Sequence, residues 1–232
     1  MKVAVINFSG NVGKSTVARH LLFPRIKGAE YVSVESINAD EGDSETVRGK
    51  QFGQLQEQLM MIDAAVIDVG ASNVEDFIKL MRQYRGSHED MDYFVVPAVK
   101  EDKQIKDTIA TIQALASMGV SPKKVRVVFN KLEADETVED AFYPLFAFHE
   151  DSKAFTLKPK AVIQFSELYQ RMRQNKKTIP ELIADQTDYK AQLRAATKPE
   201  EKQAAASMIS MKRLAESAQA NLDEVFAAIT SK

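Results

Sequence analysis

Short apolar runs alternate with helix-like segments over about the first 165 residues, and this alternation restricts the folds that the chain can adopt. Six runs have the length and residue types of strands, at 3–8, 31–37, 64–68, 93–99, 125–130 and 161–165. Several are apolar almost throughout, which is typical of strands buried on both faces. Strands that alternate with helices form parallel sheets. We therefore predict an α/β fold with a mostly parallel sheet and helices on both faces.

Helices are predicted between these strands, at 15–22, 45–61, 73–84, 102–118 and 136–149. Pro24 is expected to stop the first helix, because proline has no backbone N–H and clashes with the preceding turn. Asn73 or Ser72 is expected to cap the third helix, and Gly119 to end the fourth. These segments complete the alternation that a layered α/β fold requires.

The last third of the chain has a different pattern, because no strand is predicted after Phe165. We predict an α/β core over 1–170 and a helical segment over 171–232, packed on the core or extending from it. From Pro199 onward, apolar residues recur at steps of three and four, at Met208, Met211, Ala215, Ala218, Leu222, Val225 and Ile229. Such a stripe packs either onto the protein's own sheet or onto a partner helix.

Composition excludes several classes of protein. The chain has 232 residues with no cysteine, so disulfides, thiolate nucleophiles and cysteine-ligated metals are ruled out. Its formal net charge of −2 excludes binding to DNA or membrane by bulk positive charge. No apolar run approaches the ~20 residues that span a bilayer. The first residues lack the pattern of a signal peptide, so we expect a cytoplasmic protein.

One motif suggests chemistry: Gly13, Lys14, Ser15 and Thr16 follow a buried strand and open a helix. At such a junction, backbone N–H groups and the helix N-terminus converge on an anion, and glycine lets the backbone approach it closely. Lys14 would reach the β- and γ-phosphates of a nucleotide, and the Ser15 hydroxyl would ligate Mg²⁺. The strict P-loop pattern fails at one place, because Phe8 occupies its first glycine position.

A second polar group is expected at the same edge of the sheet. Asp68 ends the third predicted strand and is followed by Val69 and Gly70. In P-loop proteins, a carboxylate at the tip of a neighbouring strand holds Mg²⁺. We therefore predict that Asp68 and Ser15 form the metal site, and that the Gly70 N–H lies near the γ-phosphate.

The segment 9–16 resembles the deviant Walker A loop of the ParA/MinD family of P-loop ATPases, which reads K-G-G-x-G-K-[ST]-[ST]. This resemblance covers about residues 1–170 and implies that the chain binds ATP and Mg²⁺. It also implies an adenine contact from Asn130 and a strand-to-helix turn, within residues 159–168, that closes over the base. The implied nucleotide-binding residues are Gly10, Asn11, Val12, Gly13, Lys14, Ser15, Thr16, Asn130 and Pro159.

Two residues depart from this family pattern. The family's signature lysine, which reaches a partner's phosphates across a nucleotide-sandwich dimer, falls on Ser9, and the second glycine falls on Asn11. Ser9 carries no charge, so ATP binding alone is expected to drive little dimerisation. Lys100 or Lys131 is a candidate for the missing cation.

The family also has an acidic residue after the second strand that positions the attacking water. Glu35 and Asp40 are the two candidates here, and Asp40, at the tip of a polar loop, is expected to act with Lys14 as a catalytic residue. A poorly placed base would slow turnover without abolishing nucleotide binding.

The resemblance implies a nucleotide-switched, slow, Mg-dependent ATPase of plasmid stability and partition, with a link to conjugative transfer. Its expected partners are ATP and ADP, other plasmid stability proteins, plasmid DNA indirectly, and a second copy of the chain. A non-hydrolysing nucleotide-binding module and a small-molecule P-loop kinase are the alternatives. A GTPase is less favoured, because Glu133 stands where an aspartate would pair with guanine.

Overall fold

The structure is a computed structural model that describes residues 1–34 and 45–231, with the side chains of 45–50 left out of the description. Within these residues, six strands form one parallel sheet in the order β2-β3-β1-β4-β5-β6. The strands are β1 (Lys2–Val5), β2 (Glu30–Val34), β3 (Ala65–Val69), β4 (Tyr93–Ala98), β5 (Val125–Leu132) and β6 (Val162–Gln164). The predicted α/β fold class is confirmed.

Strand β1 lies inside the sheet, between β3 and β4. Val5, its last residue, pairs with Asp68 of β3 on one side and Val95 of β4 on the other. Every residue of β3 is buried, as expected of a parallel strand covered on both faces. The segment that follows β1 therefore leaves the middle of the sheet at its carboxyl edge, beside the end of β3.

Helices cover both faces of this sheet. Their bounds are α1 (Lys14–Thr16), α2 (Glu45–Met61), α3 (Val74–Gln83), α4 (Asp102–Ser117), α5 (Val138–Ala141), α6 (Tyr143–Ser152), α7 (Leu168–Asn175), α8 (Ile179–Ala184), α9 (Tyr189–Ala195) and α10 (Pro199–Thr230). Most bounds lie close to the predicted segments. Helix α7 crosses residue 170, the predicted boundary between core and C-terminal segment.

The first helix ends where predicted but is not α-helical throughout. Helix α1 continues as a π-helical segment over Val17–Leu22 and then as a 3₁₀ turn over Phe23–Arg25. The helix ends at Leu22, as predicted, and Pro24 lies in the first turn of the separate 3₁₀ segment that follows. A missing N–H costs little at that position.

Two further helix predictions need correction. The segment predicted as one helix over 136–149 is divided at Phe142 into α5 and α6, and a proline stands in the first turn of α6. Asn73 occupies the residue before α3, but its side chain makes no capping hydrogen bond. Its amide Nδ2 instead donates to the Val34 carbonyl at 2.7 Å, which ties α3 to the end of β2.

The apolar stripe of α10 packs against the sheet. It joins Val3, Val5 and Val66, together with α7 and α8, in one buried cluster on one face. The second cluster lies on the other face and includes residues of α3 and α4. Of the two roles weighed for this stripe, packing onto the protein's own sheet is confirmed. No helix in the described ranges is long and apolar enough to cross a bilayer.

Candidate functional site

A pocket of about 570 Å³ opens at the carboxyl edge of the sheet. It brings together residues that lie far apart in the sequence, namely Gly10, Asn11, Gly13, Lys14, Ser15, Thr16, Asp68 and Asn130. All of them were predicted as nucleotide or metal ligands. Val12 is not among the lining residues, because its side chain is fully buried, and its predicted contact with a nucleotide stays a prediction.

Lys14 is the buried cation of the pocket, with 8% of its surface exposed. Its ammonium donates hydrogen bonds to the carbonyl oxygens of Asn7 at 3.1 Å and Ser9 at 2.6 Å. Burial lowers the pKa of Lys14 to about 8, while the negative charge of Asp68 opposes the shift. The loop thus holds a desolvated ammonium on its own carbonyls, where phosphate oxygens could replace them as acceptors.

The loop backbone has a shape that most side chains would not allow. Gly13 has φ +89°, and a Cβ built on it would lie 2.2 Å from the amide nitrogen of Asn130. Asn11, the residue at the family's second glycine, has φ 61°. Asparagine tolerates this left-handed conformation better than most residues with a Cβ. The substitution at Asn11 is therefore compatible with the loop shape that the motif predicts.

Contacts with β4 and α4 fix the start of the loop. The Asn7 amide donates to the carbonyl of Pro97 and to the hydroxyl of Thr108, both at 2.8 Å, and accepts from the Ser9 N–H at 2.8 Å. Ser9 is only 2% exposed. The hydrogen bond from Lys103, and then the Ser9 side chain, lower the pKa of the Asp107 carboxyl on α4. The residue at the signature-lysine position is therefore buried against the chain's own helix.

Asp68 lines the pocket, and one of its carboxylate oxygens has no partner within the described ranges. The hydroxyl of Tyr31 donates to Oδ2 at 2.7 Å, whereas the buried Oδ1 has no hydrogen-bond partner within 1–34 and 45–231. Ser15 is exposed in the same pocket. A carboxylate and a hydroxyl oxygen fit Mg²⁺, which takes few protein ligands together with phosphates and waters. The described ranges contain no cluster of three metal-ligating side chains.

Tyr31 and Arg19 extend this site, and the sequence analysis missed both. The Arg19 Nε donates to the Tyr31 hydroxyl at 3.0 Å, and its guanidinium carbon lies 4.9 Å from the centre of the Tyr31 ring. Burial, and then the hydrogen bond to Asp68, raise the pKa of the Tyr31 hydroxyl. Tyr31 therefore stays protonated and keeps Asp68 Oδ2 occupied, which leaves Oδ1 for another ligand.

Two residues of β5 bind the loop from the opposite side. Asn130 Nδ2 donates to the Val12 carbonyl at 2.9 Å, and its Oδ1 accepts from the Lys131 N–H at 3.0 Å. The Lys131 ammonium donates to the Asn11 carbonyl at 3.0 Å and lines the pocket. Lys100 instead pairs with Glu136 and is not among the pocket-lining residues. Of the two candidate replacement cations, Lys131 is the one at the site.

Pro159 and the carboxyl end of β6 are placed differently relative to the pocket. Pro159 lies in a turn before β6 begins, and residues that precede a parallel strand lie at the opposite edge of the sheet. Pro159 is therefore not among the residues that line the pocket. Gln164 and Phe165, which follow at the carboxyl end of β6, line the pocket instead. The Phe165 side chain is 56% exposed and lines the same pocket as Asn130.

The predicted catalytic carboxylate cannot be placed. Asp40 and its alternative Glu35 lie outside the residues that the structure describes. Their roles therefore stay predictions from the sequence.

Comparisons with known proteins agree with this fold. No protein family profile and no curated protein matches the sequence. The chain is similar in structure to the MinD cell division protein of Aquifex aeolicus, with a TM-score of 0.53, 13% identity, and 91% of this chain and 94% of that one covered. MinD in the MinC:MinD cell division complex of Aquifex aeolicus gives a TM-score of 0.51 at 13% identity, covering 91% and 93%.

Cyanothece McdA in its apo form is a further structural neighbour. Its TM-score is 0.50 at 14% identity, with 94% of this chain and 98% of that one covered. At such low identities, structural similarity shows the fold alone. The chain therefore has the α/β fold of MinD and McdA, with a phosphate-loop sequence at the carboxyl edge of its central strand.

Proposed function

We propose that this chain is a nucleotide-switched ATPase that binds Mg-ATP at the carboxyl edge of its sheet. The observation that supports this most directly is the buried, unpartnered Oδ1 of Asp68, a residue that lines the same pocket as Lys14 and Ser15. A buried carboxylate oxygen without a donor costs free energy unless a ligand satisfies it. A cation held between this oxygen and a bound phosphate would do so.

Each loop residue then has a defined task. The backbone from Gly10 to Gly13 surrounds the phosphates, and the Lys14 ammonium exchanges the carbonyls of Asn7 and Ser9 for the β- and γ-phosphate oxygens. Ser15 and Asp68 hold Mg²⁺, which when bound neutralises charge on those oxygens. Most of this work is positioning and charge stabilisation, so binding is expected to be robust and hydrolysis slow.

Base recognition falls to residues that follow β5 and β6. Phe165 presents an exposed ring on which a purine can stack. The Asn130 amide is already bonded to Val12 and Lys131, so its main role is to position the loop. Adenine is the proposed base, because Glu133 replaces the aspartate that would pair with guanine.

Calorimetric titration with ATP, ADP and GTP, each with and without Mg²⁺, tests this proposal. We expect Mg-ATP to bind more tightly than metal-free ATP, and ATP more tightly than GTP. Asp68→Asn should weaken Mg-ATP but change metal-free ATP little, because only the metal-bound form uses the carboxylate. Asp135→Asn, an exposed carboxylate outside the pocket, is the matched control. If Asp68→Asn weakens the binding of Mg-ATP and of metal-free ATP equally, Asp68 has a structural role instead.

The non-hydrolysing module remains the second candidate, because buried Ser9 supplies no charge to a γ-phosphate. Release of inorganic phosphate from ATP separates the two. Slow but measurable release that disappears in Lys14→Ala supports an ATPase. Tight Mg-ATP binding with no release in the wild type supports the module.

A homodimer that tightens only weakly on ATP binding is part of the proposal. Two ATP molecules that face each other across a dimer repel unless cations offset them, and Ser9 lacks the charge for this. Lys131 donates to the loop of its own chain, so it acts in cis. Sedimentation with and without Mg-ATP is the test, and a tight ATP-driven dimer of the wild type would contradict it.

The cellular role that we propose is plasmid stability and partition, with a link to conjugative transfer. It rests on the resemblance of the opening residues to the plasmid stability protein StbB, and it implies a cytoplasmic protein that acts with other stability proteins and with plasmid DNA indirectly. Loss of the native replicon over generations measures this role. We expect Lys14→Ala to raise the loss rate and Lys202→Ala to leave it unchanged.

A further inference from the structure

A second cavity of about 710 Å³ lies beside the proposed nucleotide pocket. It is formed by the helical segment that continues α1, by α7, by the start of α8 and by α10. Ser15, Thr16, Tyr169 and Arg173 line both cavities, so the two share a wall. Small-molecule sites commonly have about this volume. The nucleotide proposal assigns no role to this second cavity.

The floor of the cavity is apolar. Met172 and Ile179 are buried there, and Phe23 lies at its margin with 40% of its surface exposed. The rings of Phe23 and Tyr31 meet edge to face with their centres 5.7 Å apart. A ligand in this cavity would therefore bury an apolar or aromatic body.

The rim of the cavity is cationic. Arg19, Arg173, Lys176 and Lys177 line it, and no aspartate or glutamate of the described ranges does. Within the same ranges, Arg173, Lys176 and Lys177 make no hydrogen bond or ion pair through their side chains. Burial, and then the charges of Arg19 and Arg173, lower the pKa of His20 to about 4, so His20 is neutral near pH 7.

Carboxylates around the cavity are held by other hydrogen bonds. Asp68 accepts from the cavity-lining Tyr31. Glu181 accepts from the backbone and hydroxyl of Thr178 in a capping box at the start of α8, and these bonds, and then the charge of Lys177, lower its pKa. Asp223 accepts from Arg25 and from Gln219. Within the described ranges, no carboxylate lines the cavity beside Arg173, Lys176 and Lys177.

We propose that this cavity binds an amphipathic anion, a small molecule with an apolar body and a carboxylate, sulfonate or phosphate head. The body lies on Phe23, Met172 and Ile179, and the head meets Lys176, Lys177 and Arg173. Because Arg173 and Thr16 also line the nucleotide pocket, this ligand lies within reach of the nucleotide site. The inference goes beyond the proposed ATPase and stands without it.

A pair of fluorescent probes tests the charge and the apolar body separately. Anilinonaphthalene sulfonate has an apolar body with an anionic head, and phenylnaphthylamine is its neutral counterpart. We expect one sulfonate probe to bind per folded chain, more tightly than the neutral probe. Neutral-probe binding that is as tight as sulfonate binding would overturn the proposal.

Variants locate the site of binding. Lys176→Gln with Lys177→Gln should weaken the sulfonate probe about fivefold and leave the neutral probe unchanged, as expected for two partly solvated charges. Phe23→Ser should weaken both probes, because it removes apolar surface. Lys202→Gln, an exposed lysine at the start of α10, is the charge control and should change neither.

A last variant separates this cavity from the phosphate loop. Lys14 lines only the nucleotide pocket, so Lys14→Ala should keep sulfonate-probe binding. Loss of binding in Lys14→Ala, or an unchanged affinity in the double lysine variant, would place the probe elsewhere and refute the assignment. Circular dichroism of each variant confirms that the fold is retained.

Discussion

Two buried cations in this chain have opposite surroundings. Arg126, at the amino end of β5, donates to the carbonyls of Ile229 at 2.8 Å and Lys123 at 2.5 Å, and its guanidinium lies over the ring of Tyr93. Lys14 is buried to a similar degree, but it lines an open pocket. Burial lowers the pKa of both groups. Arg126 joins the end of α10 to the sheet, whereas Lys14 can exchange its acceptors for those of a ligand.

The difference shows that a buried, desolvated cation can either stabilise the fold or form part of a binding site. At Arg126, each donor satisfies a carbonyl that would otherwise lack a partner, so the desolvated charge stabilises the contact between helix and sheet. Near Lys14, the neighbouring Asp68 keeps an unpartnered oxygen within the described ranges. Buried polar groups with all their hydrogen-bond partners are typical of the structural core. Buried polar groups that lack a partner are typical of a binding site.

The largest expected effect comes from Arg126→Ala. It removes the donors to two carbonyls and the contact with Tyr93, so the free energy of unfolding should fall by about 3 kcal/mol. ATP affinity should not change, because Arg126 lies at the opposite edge of the sheet. Chemical denaturation and calorimetry measure the two quantities. Arg213→Ala, an exposed arginine of α10, is the control, and a similar loss there would contradict the prediction.

Lys14→Ala is expected to do the reverse of Arg126→Ala: it should lower ATP affinity and leave the free energy of unfolding nearly unchanged. It removes the only ammonium that the loop itself offers to the phosphates, so ATP affinity should fall by about one to two decades, or about 1.5–3 kcal/mol. The free energy of unfolding should stay near the wild-type value, since a desolvated charge is lost together with its hydrogen bonds. Lys202→Ala is the control. Unchanged ATP binding in Lys14→Ala would refute the phosphate-loop interpretation.

Asn130→Ala should have an intermediate effect on both quantities. It breaks the hydrogen bonds to Val12 and Lys131, so we expect the free energy of unfolding to fall by about 1 kcal/mol. ATP affinity should fall several-fold, because the loop loses one of its supports. Calorimetry and chemical denaturation of this variant are the checks. A change in only one of the two quantities would show that Asn130 belongs to only one of these regions.

The smallest effect is the pH dependence of ATP binding. Lys14 has a pKa of about 8 in the folded protein, so the ammonium that binds phosphate is lost as pH rises through that value. If only the charged form binds, affinity falls about fourfold between about pH 7 and about pH 8.5. Lys14→Ala should show a flat profile over the same range. Calorimetry at several pH values measures both, and a sloped profile in the variant would point to another group.

The free energy of unfolding should rise with pH, whereas ATP affinity falls. Between about pH 8 and the usual lysine pKa near 10.5, the unfolded chain binds a proton at Lys14 that the folded chain does not. The free energy of unfolding of the wild type, relative to Lys14→Ala, should therefore rise with pH over this window. A fall in this free-energy difference over the same pH window would mean that the loop raises the pKa of Lys14.

Much of the scaffold and of the phosphate end of the site could be predicted from the sequence. Buried parallel strands have continuous apolar runs, and a glycine turn before Lys14 and Ser15 specifies a local geometry. Asp68 could be assigned to the same site as Ser15, because the carboxyl ends of adjacent parallel strands meet at one edge of the sheet. Each of these inferences depends on residues close together in the chain or on a general rule for parallel sheets.

The remaining parts of the site depend on long-range placement. Tyr31 reaches Asp68 only because β2 pairs with β3 in a register that puts Ser33 opposite Asp68, and no local pattern gives that register. Pro159 opens the segment 159–168 that resembles the family's strand-to-helix turn, but β6 lies inside this segment, and only the later residues of the segment line the pocket. The division between α5 and α6 had a local signal, since Pro144 stands inside the segment predicted as one helix.

The central position of β1 has a consequence for how the chain assembles during synthesis. β1 is made first, yet its neighbours β3 and β4 begin at Ala65 and Tyr93, so at ribosomal rates of about 5–20 residues per second it waits several seconds for a partner. Asn130, which binds the phosphate loop, is translated later still, because it lies in β5. A nascent chain would therefore gain the ability to bind nucleotide only after most of the sheet had been translated.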